Sequence, residues 1–405
     1  MRGASIFTAL GIAALLSACG DEEPTSPRRF DARVQPAAEL DPELVRQGKR
    51  IFRFDTFGDE TFWTDTLKLH RVIRNSVSPA AALGLGVKVD VGALPSEVRA
   101  ALRAGEIDLE DPATTVTLLK LGAVVGLEGK VNAKGFLTQL GTTCALCHST
   151  VDNSFAPGIG HRLDGWPNRD LNVGAIIALS PAVTPEQRRV YRSWGPGMYD
   201  PRFNIDGKNL PVVIPPAFGL RRVDREIYTG DGPVSYWNEY VAVTQMHGHG
   251  RFEDPRIGVS IDNPPDLVSR KLRPLRIYQF SLETPEPPAD GFDADAAERG
   301  RLVFRGPAGC RECHQGSVYT DVNSGILHFP REVGQDREYA QRSATKQYRT
   351  TPLRGLWNPP QLTGPYFHDG SAATLEDVVE HYVQRFRLSL TSRQKADLVE
   401  FLKSL

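Results

Sequence analysis

Methionine is nearly missing from this chain. Three occur in 405 residues and none follows Met246, so no thioether from that residue type can cap a metal in the C-terminal part. Charge of one sign is missing too: 48 Lys and Arg stand against 49 Asp and Glu, a net charge of -1. No basic run exceeds a few residues, which removes the electrostatic basis for nucleic-acid binding. Long apolar runs are absent as well. The stretch from Ile6 to Leu16 in MRGASIFTALGIAALLSACG is too short for an ordinary spanning helix. With Arg2 before it and small residues after it, it has the pattern of a secretory signal. Leu16-Ser17-Ala18-Cys19 has the form of a lipobox, whose cysteine is diacylated; a plain signal with a chance cysteine is the alternative. Either way the mature chain is expected in the bacterial cell envelope, on the periplasmic side. In the lipobox reading it hangs from Cys19 by the polar, proline-rich tether 20–42.

What remains is ordinary globular composition, 40% apolar and 24% charged, in a chain long enough for two domains. The five cysteines sort without remainder into Cys19, the pair Cys144 and Cys147, and the pair Cys310 and Cys313. No pair is left over for a structural disulfide, although an exported protein could form one. Both later pairs read C-x-x-C-H, as CALCH ending in His148 and CRECH ending in His314. This spacing marks covalent c-type haem attachment. Two thiols on one helical turn each add to a haem vinyl group, and the next residue brings its imidazole under the iron as proximal ligand. A redox dithiol or a four-cysteine zinc site is the competing use of such pairs.

The chain also looks duplicated. AAERGRLVFRG (296–306) precedes the second haem segment, and LVRQGKRIFRF (44–54) lies ahead of the first. They match with one position skipped near the middle, each as a short amphipathic helix whose glycine allows close helix packing. Phe304 stands six residues before Cys310, whereas Phe52 stands 92 before Cys144. The first copy therefore carries an insertion at about 56–142. Within it TFWTDTLKLHRVI and PSEVRAALRAG have helical periodicity, and AVVGLEGKVNAKGFLTQLG reads as a β-hairpin turning at 132–135. His70, on the apolar side of the first helix, reads as packing. A weaker repeat pairs PPAFGL then YTGDG (215–232) with TPLRGL then YFHDG (351–370), unless both are generic Pro/Gly turns. SRKLRPLRIYQFSL, between proline-rich stretches at 264–288, looks like a crossover. The last segment, TSRQKADLVEFLKSL, suits a closing helix capped by Thr391 and packed on 296–304. The expected organisation is a signal at 1–19, a tether at 20–42, an N-terminal haem domain at 43–288 and a C-terminal one at 289–405. The fold class is mostly α: two cytochrome c-like modules, the first with a long insertion containing a β-hairpin.

Two haem segments, GKRIFRFD before the first, and RTTPLRGLWNPPQLTGPYFHDGSAATLEDVVEHY after the second together resemble the bacterial di-haem cytochrome c peroxidase and MauG superfamily. The resemblance is specific over 293–405 and patchy around the first haem. It implies two covalent haems, peroxide reduction at the N-terminal iron, and a C-terminal haem that passes on electrons from a small redox protein or other donor. It implies a distal group in a GH-containing loop, for which His161 in PGIGHRLDGW is the match, with an exposed loop histidine as the plain alternative. Met246, in VTQMHGHG with His247 and His249, is the rival that would cap the first iron. Trp166 matches the family's bridging tryptophan, although an aromatic after a glycine turn also serves as packing. The second haem's sixth ligand falls eight residues after the Thr of ATLE-type segments, methionine in most peroxidases and tyrosine in MauG; counting from Thr374 gives Tyr382. His381 beside it points about 100° away on a helix. His368 is a second contender and His328 a weaker one. Thr363 and Pro365 match positions that help bind calcium in the family, without an acidic cluster to complete a site. The leading expectation is an exported di-haem peroxidase-like oxidoreductase. The alternatives are an electron-transfer cytochrome with both irons capped and a MauG-like enzyme that stores oxidising equivalents.

Overall fold

The computed structural model describes residues 40–357 and 364–405, so the signal, Cys19, most of the tether and Thr363 lie outside the described residues. The described residues are mostly helical, 45% helix and 12% strand, and their strands form separate two-stranded sheets. No helix among the described residues is long and apolar enough to cross a membrane. The helices that frame the site are α1 (Pro42–Phe54), α2 (Leu69–Ser76), α3 (Pro112–Lys120), α4 (Val234–Tyr240), α5 (Leu272–Ser281), α6 (Ala294–Arg305), α7 (Leu375–Phe386) and α8 (Ser392–Lys403).

Helices α1 and α6 start alike because both begin with an aspartate cap. Asp41 accepts from the Glu43 amide and Asp293 from the Ala296 amide, each at 2.9 Å, and each helix carries an arginine near its C-terminal dipole. Each then crosses a later helix at a glycine. A Cβ on Gly48 would lie 2.0 Å from the Pro274 carbonyl of α5, and one on Gly300 would lie 1.9 Å from the Asp397 carbonyl of α8. Four residues on, the buried ring of Phe52 meets Tyr278 edge-on at 5.4 Å, and that of Phe304 meets Phe401 at 5.1 Å. Full burial of such a ring stabilises by about 1.5–3 kcal/mol. The two helices therefore match residue for residue, Gly48 with Gly300 and Phe52 with Phe304, and the skipped position expected between them does not exist. The segment read as a crossover is corrected as well: α5 is to α1 what α8 is to α6.

The weaker repeat is also structural. Gly219 and Gly355 both take left-handed backbone (φ +68° and +66°), which glycine adopts without steric cost. The Gly219 amide donates to the Leu282 carbonyl just after α5, and the Gly355 amide to the Leu405 carbonyl just after α8, at 2.8 and 2.9 Å. Downstream, a turn closed by the Glu226–Gly232 bridge has left-handed Ile227 and Gly230, and one closed by Tyr366–Ala372 has left-handed Phe367 and Gly370. Each turn feeds a helix, α4 or α7. The correspondence runs two residues out of step with the match of YTGDG to YFHDG, because closure of the turn rather than its spelling sets the register.

The insertion holds the expected hairpin. β1 (Leu127–Val131) pairs antiparallel with β2 (Leu137–Thr142), and Asn132 in the turn accepts from the Lys134 and Phe136 amides. Helices α2 and α3 cover it around a core that includes Leu69, Leu118, Leu119, Leu137 and Leu140. His70 is buried on α2, consistent with packing. Asp59 fastens the hairpin's end, taking the Thr142 hydroxyl at 2.6 Å and its amide at 3.1 Å. That places Cys144 two residues beyond a buried anchor.

Candidate haem centres

Both histidines of the C-x-x-C-H segments are held the same way. His148 Nδ1 lies 3.1 Å from the Pro215 carbonyl oxygen, and His314 Nδ1 lies 2.9 Å from that of Tyr319. A carbonyl only accepts, so Nδ1 carries the proton in both and Nε2 keeps its lone pair for a metal. This is the orientation expected of a metal-binding imidazole. Pro215 and Thr351 belong to the repeated hexapeptides, and the Thr351 backbone also acts on His314. Burial lowers the His148 pKa to about 4 and moves that of His314 in the same direction, which keeps both rings neutral and able to ligate.

The cysteines suit covalent attachment better than the competing uses. All four described thiols are free. Burial pushes Cys144 and Cys147 up to about 12 and Cys310 to about 11, whereas a redox dithiol needs a stabilised thiolate. Among the described residues the one cluster of three metal-binding side chains is Cys313, Asp321 and His328. The two pairs therefore do not converge on a four-cysteine zinc site. Nor do the described residues bring an acidic cluster to Pro365 for calcium. Around the second segment, Phe329 and Phe386 are about half exposed, at 49% and 51%. The elements carrying them are joined by the Arg385 guanidinium on the Arg331 carbonyl. Apolar area of that kind calls for a cover, and a flat apolar macrocycle supplies one.

The rivals for the second iron separate clearly. Tyr382 is near enough to Cys313 and Cys310 for them to act on its phenol, which burial first and these two neighbours next raise to about 12. His381 gives its Nε2 to the Val333 carbonyl at 2.9 Å. His368 is buried among Tyr339, Tyr348 and Tyr228, with Gln335 at 3.2 Å from Nδ1 and the Tyr348 hydroxyl at 3.3 Å from Nε2. His328 Nε2 is taken by Asp321 at 3.0 Å. Each of the three histidines thus has a ring nitrogen engaged by a polar group, whereas Tyr382 stands among the rings of Phe367 and Phe386 on the side of the thiols.

Around the first segment the outcome differs from expectation. The His161 side chain is 64% exposed, its Nδ1 held by Asp152 at 3.1 Å and beside Ser154 at 3.2 Å. Three short bonds in the 152–161 loop, including the His161 amide on Asp152, fix it at the surface. Met246 is buried in an apolar core with Phe57, Ala145 and Phe252, and its carbonyl accepts from Trp63 Nε1 at 3.2 Å. Tyr199, which carried no signal in the sequence, is half-buried, and desolvation first and Cys147 next raise its phenol above the ordinary range. Its hydroxyl donates to Gln245 Oε1 at 2.6 Å. Spacing could not have found this pair, since its members are 46 positions apart with no repeat between them.

The two segments are linked through tryptophan. Gly165 donates its amide to the His148 carbonyl at 2.8 Å. The next residue, Trp166, meets Trp357 edge-on at 6.4 Å and Phe218 at 5.7 Å. Leu356, beside Trp357, packs in the same apolar cluster as Cys310.

No family model matches the chain. It is 32% identical over 154 residues to the methylamine utilization protein MauG of Methylorubrum extorquens, which covers 32% of this chain and 42% of MauG. It is 28% identical over 153 residues to the cytochrome-c peroxidase IdrP1 of Denitromonas iodatirespirans, covering 27% and 40%. A solved structure of Kuenenia stuttgartiensis hydrazine synthase is similar at 20% identity with a TM-score of 0.37, over 53% of this chain and 78% of that one, too loose a likeness to argue from. The chain thus spans less than half the length of these curated relatives. With two C-x-x-C-H segments held alike, these similarities support the likeness to the bacterial di-haem cytochrome c peroxidase and MauG superfamily of oxidoreductases.

Proposed function

We propose that this chain is an exported di-haem c-type cytochrome in which each half is a cytochrome c-like module, 43–288 and 289–405, and that it reduces peroxide at the first haem. Cys144, Cys147, Cys310 and Cys313 would be the thioether anchors, and His148 and His314 the proximal ligands. The matching helix crossings, glycine caps and bridge-closed turns support the two-module reading. Bound there, haem iron supplies the redox chemistry, by which peroxide takes up two electrons and two protons and leaves as two waters.

One observation carries the distinction between the halves. Register from the shared turns sets Tyr382 of α7 against Ala242, and register from the helix caps Pro233 and Thr374 sets it against Val241. Neither can ligate. Tyr382, half-buried beside Cys313 and Cys310, would supply the sixth ligand of the second haem, and this position of the repeat would supply none to the first. Met246 falls a full turn beyond, in the core, and His368 belongs to the tyrosine cluster. Neither is a ligand in this reading. Tyr199, on which Cys147 acts, and its partner Gln245 would be the pair that holds a bound oxygen or passes a proton at the first haem, the role expected of His161. Trp166 with Trp357 is the route between the haems from an external donor. An electron carrier with both irons capped would need a ligand where Val241 and Ala242 stand.

Spectra of the purified protein test this. A high-spin ferric haem that changes on adding peroxide beside a low-spin one is the expected result. Two low-spin haems, inert to peroxide and unchanged by partial reduction, would overturn the reading.

A further inference from the structure

The insertion contains an apolar space beside the first C-x-x-C-H segment. It measures about 70 Å³ and is bounded by Leu69, Ile73, Leu118, Val124, Leu140 and Leu146, among others. No nitrogen or oxygen atom faces it. Leu146 lies between Cys144 and Cys147, so one wall is the first C-x-x-C-H segment itself. Protein cores leave few voids larger than a water molecule. A water placed here would find at most the unpartnered Thr115 hydroxyl, short of the two to four polar partners it requires, so the space is dry.

Volume decides what fits. An engineered apolar cavity of about 150 Å³ takes benzene or xenon. Half of that accommodates one heavy atom or a diatomic molecule and excludes an aromatic ring. Hydrogen peroxide donates and accepts at both ends and would have to shed those bonds to water without replacement, which keeps it out. We propose that this cavity binds a single apolar gas molecule, dioxygen in the cell, against the back of the first haem-binding segment. The site is separate from peroxide reduction and would stand if that activity failed.

Xenon is the probe. Crystals of the holoprotein held under xenon pressure should show one xenon atom within van der Waals contact of Leu118, Val124 and Leu146. In solution the xenon resonance should shift on titration with protein, and saturating dioxygen should reverse the shift. Leu118→Phe, which fills the space, should abolish xenon uptake while leaving both haem spectra in place. Ordered water in the cavity, absence of xenon from it, or uptake unchanged in Leu118→Phe would overturn the proposal. A xenon signal indifferent to dioxygen would overturn the choice of gas. If Leu118→Phe does not fold, the density in the unaltered protein decides alone.

Discussion

The two halves close alike but are wired over different lengths of chain. In the second, the carbonyl that orients His314 comes from Tyr319, five residues away. In the first, the carbonyl that orients His148 comes from Pro215, 67 residues away. The second site can form from one short stretch beside α6 and α8, whereas the first must wait for the hairpin, the Asp59 anchor and the return of the chain at 215. Closing such loops costs conformational entropy that local contacts avoid. A duplicated fold can therefore keep one copy self-contained and let the other grow an insertion, as long as the crossing glycine and the histidine's carbonyl are kept.

The strongest way to break this comparison is to remove one centre at a time. Cys310→Ala with Cys313→Ala should leave one covalent haem per chain, read by mass and by the pyridine haemochrome spectrum, with the first centre still able to bind carbon monoxide. Cys144→Ala with Cys147→Ala should also leave one haem, but no carbon monoxide binding. Equal binding in the two variants would mean that the halves do not differ in openness.

Next in size are the crossings. A Cβ at Gly48 or Gly300 would sit on a backbone oxygen at 2.0 or 1.9 Å, and neither helix can yield without dragging its partner. Overpacking of that kind costs roughly 1–3 kcal/mol and sometimes more, so Gly48→Val and Gly300→Val should each lower stability by about 3 kcal/mol in denaturant unfolding. Two true counterparts should differ by no more than about 1 kcal/mol, within the usual context dependence of such changes. A tolerated valine at 48 would show that α5 is not the closing helix of the first half.

A pH-dependent effect also separates the halves. Burial, opposed by hydrogen bonds from Thr142, raises the Asp59 carboxyl to about 8. Below the unfolded value of about 4 the folded and unfolded forms are both protonated and its contribution to stability is complete. Between about pH 4 and 8 the unfolded chain ionises while the folded one keeps its proton. Stability should then fall by about 1.4 kcal/mol per pH unit and level off above 8. Asp59→Asn should remove that component. In the second half the sign is reversed, because Arg299 holds the Asp397 carboxyl below its usual range. Its contribution is lost as pH falls instead. Comparing the pH profile of Asp59→Asn with that of Asp397→Asn checks both signs.

Much of this was legible in the sequence because its signals are local. The C-x-x-C-H segments, the cap at Thr391, the Asn132 turn and the glycine in QGKRIFR each announce themselves within a few residues. The role of α5 was not legible, since nothing inside LRPLRIYQFS says which helix it will cross. Only the opening that Gly48 leaves for the Pro274 carbonyl decides that. Tyr199 and Trp357 escaped for the same reason, being brought to the site by long-range closure from stretches without periodicity. His161 misled in the opposite way, because a Gly-His loop resembles a distal site until Asp152 is seen to hold the ring at the surface.

The finest test concerns one oxygen atom. Tyr382→Phe removes the hydroxyl proposed to face the second iron and keeps the ring's stack on Phe386, 5.8 Å away and nearly parallel. Packing should change little, and stability with it. If the hydroxyl ligates, the second haem loses its low-spin ferric spectrum and its potential rises, because an anionic oxygen that favoured the ferric state is gone. The first haem's spectrum should not move, since its position on the repeat is already occupied by Val241 or Ala242. If His368 were the ligand, the spectra would be indifferent to Tyr382→Phe and would respond to His368→Ala. The pair of substitutions therefore decides the register of the two repeats as well as the ligand, because the proposed open first site and tyrosine-capped second rest on the same alignment of 234–242 with α7.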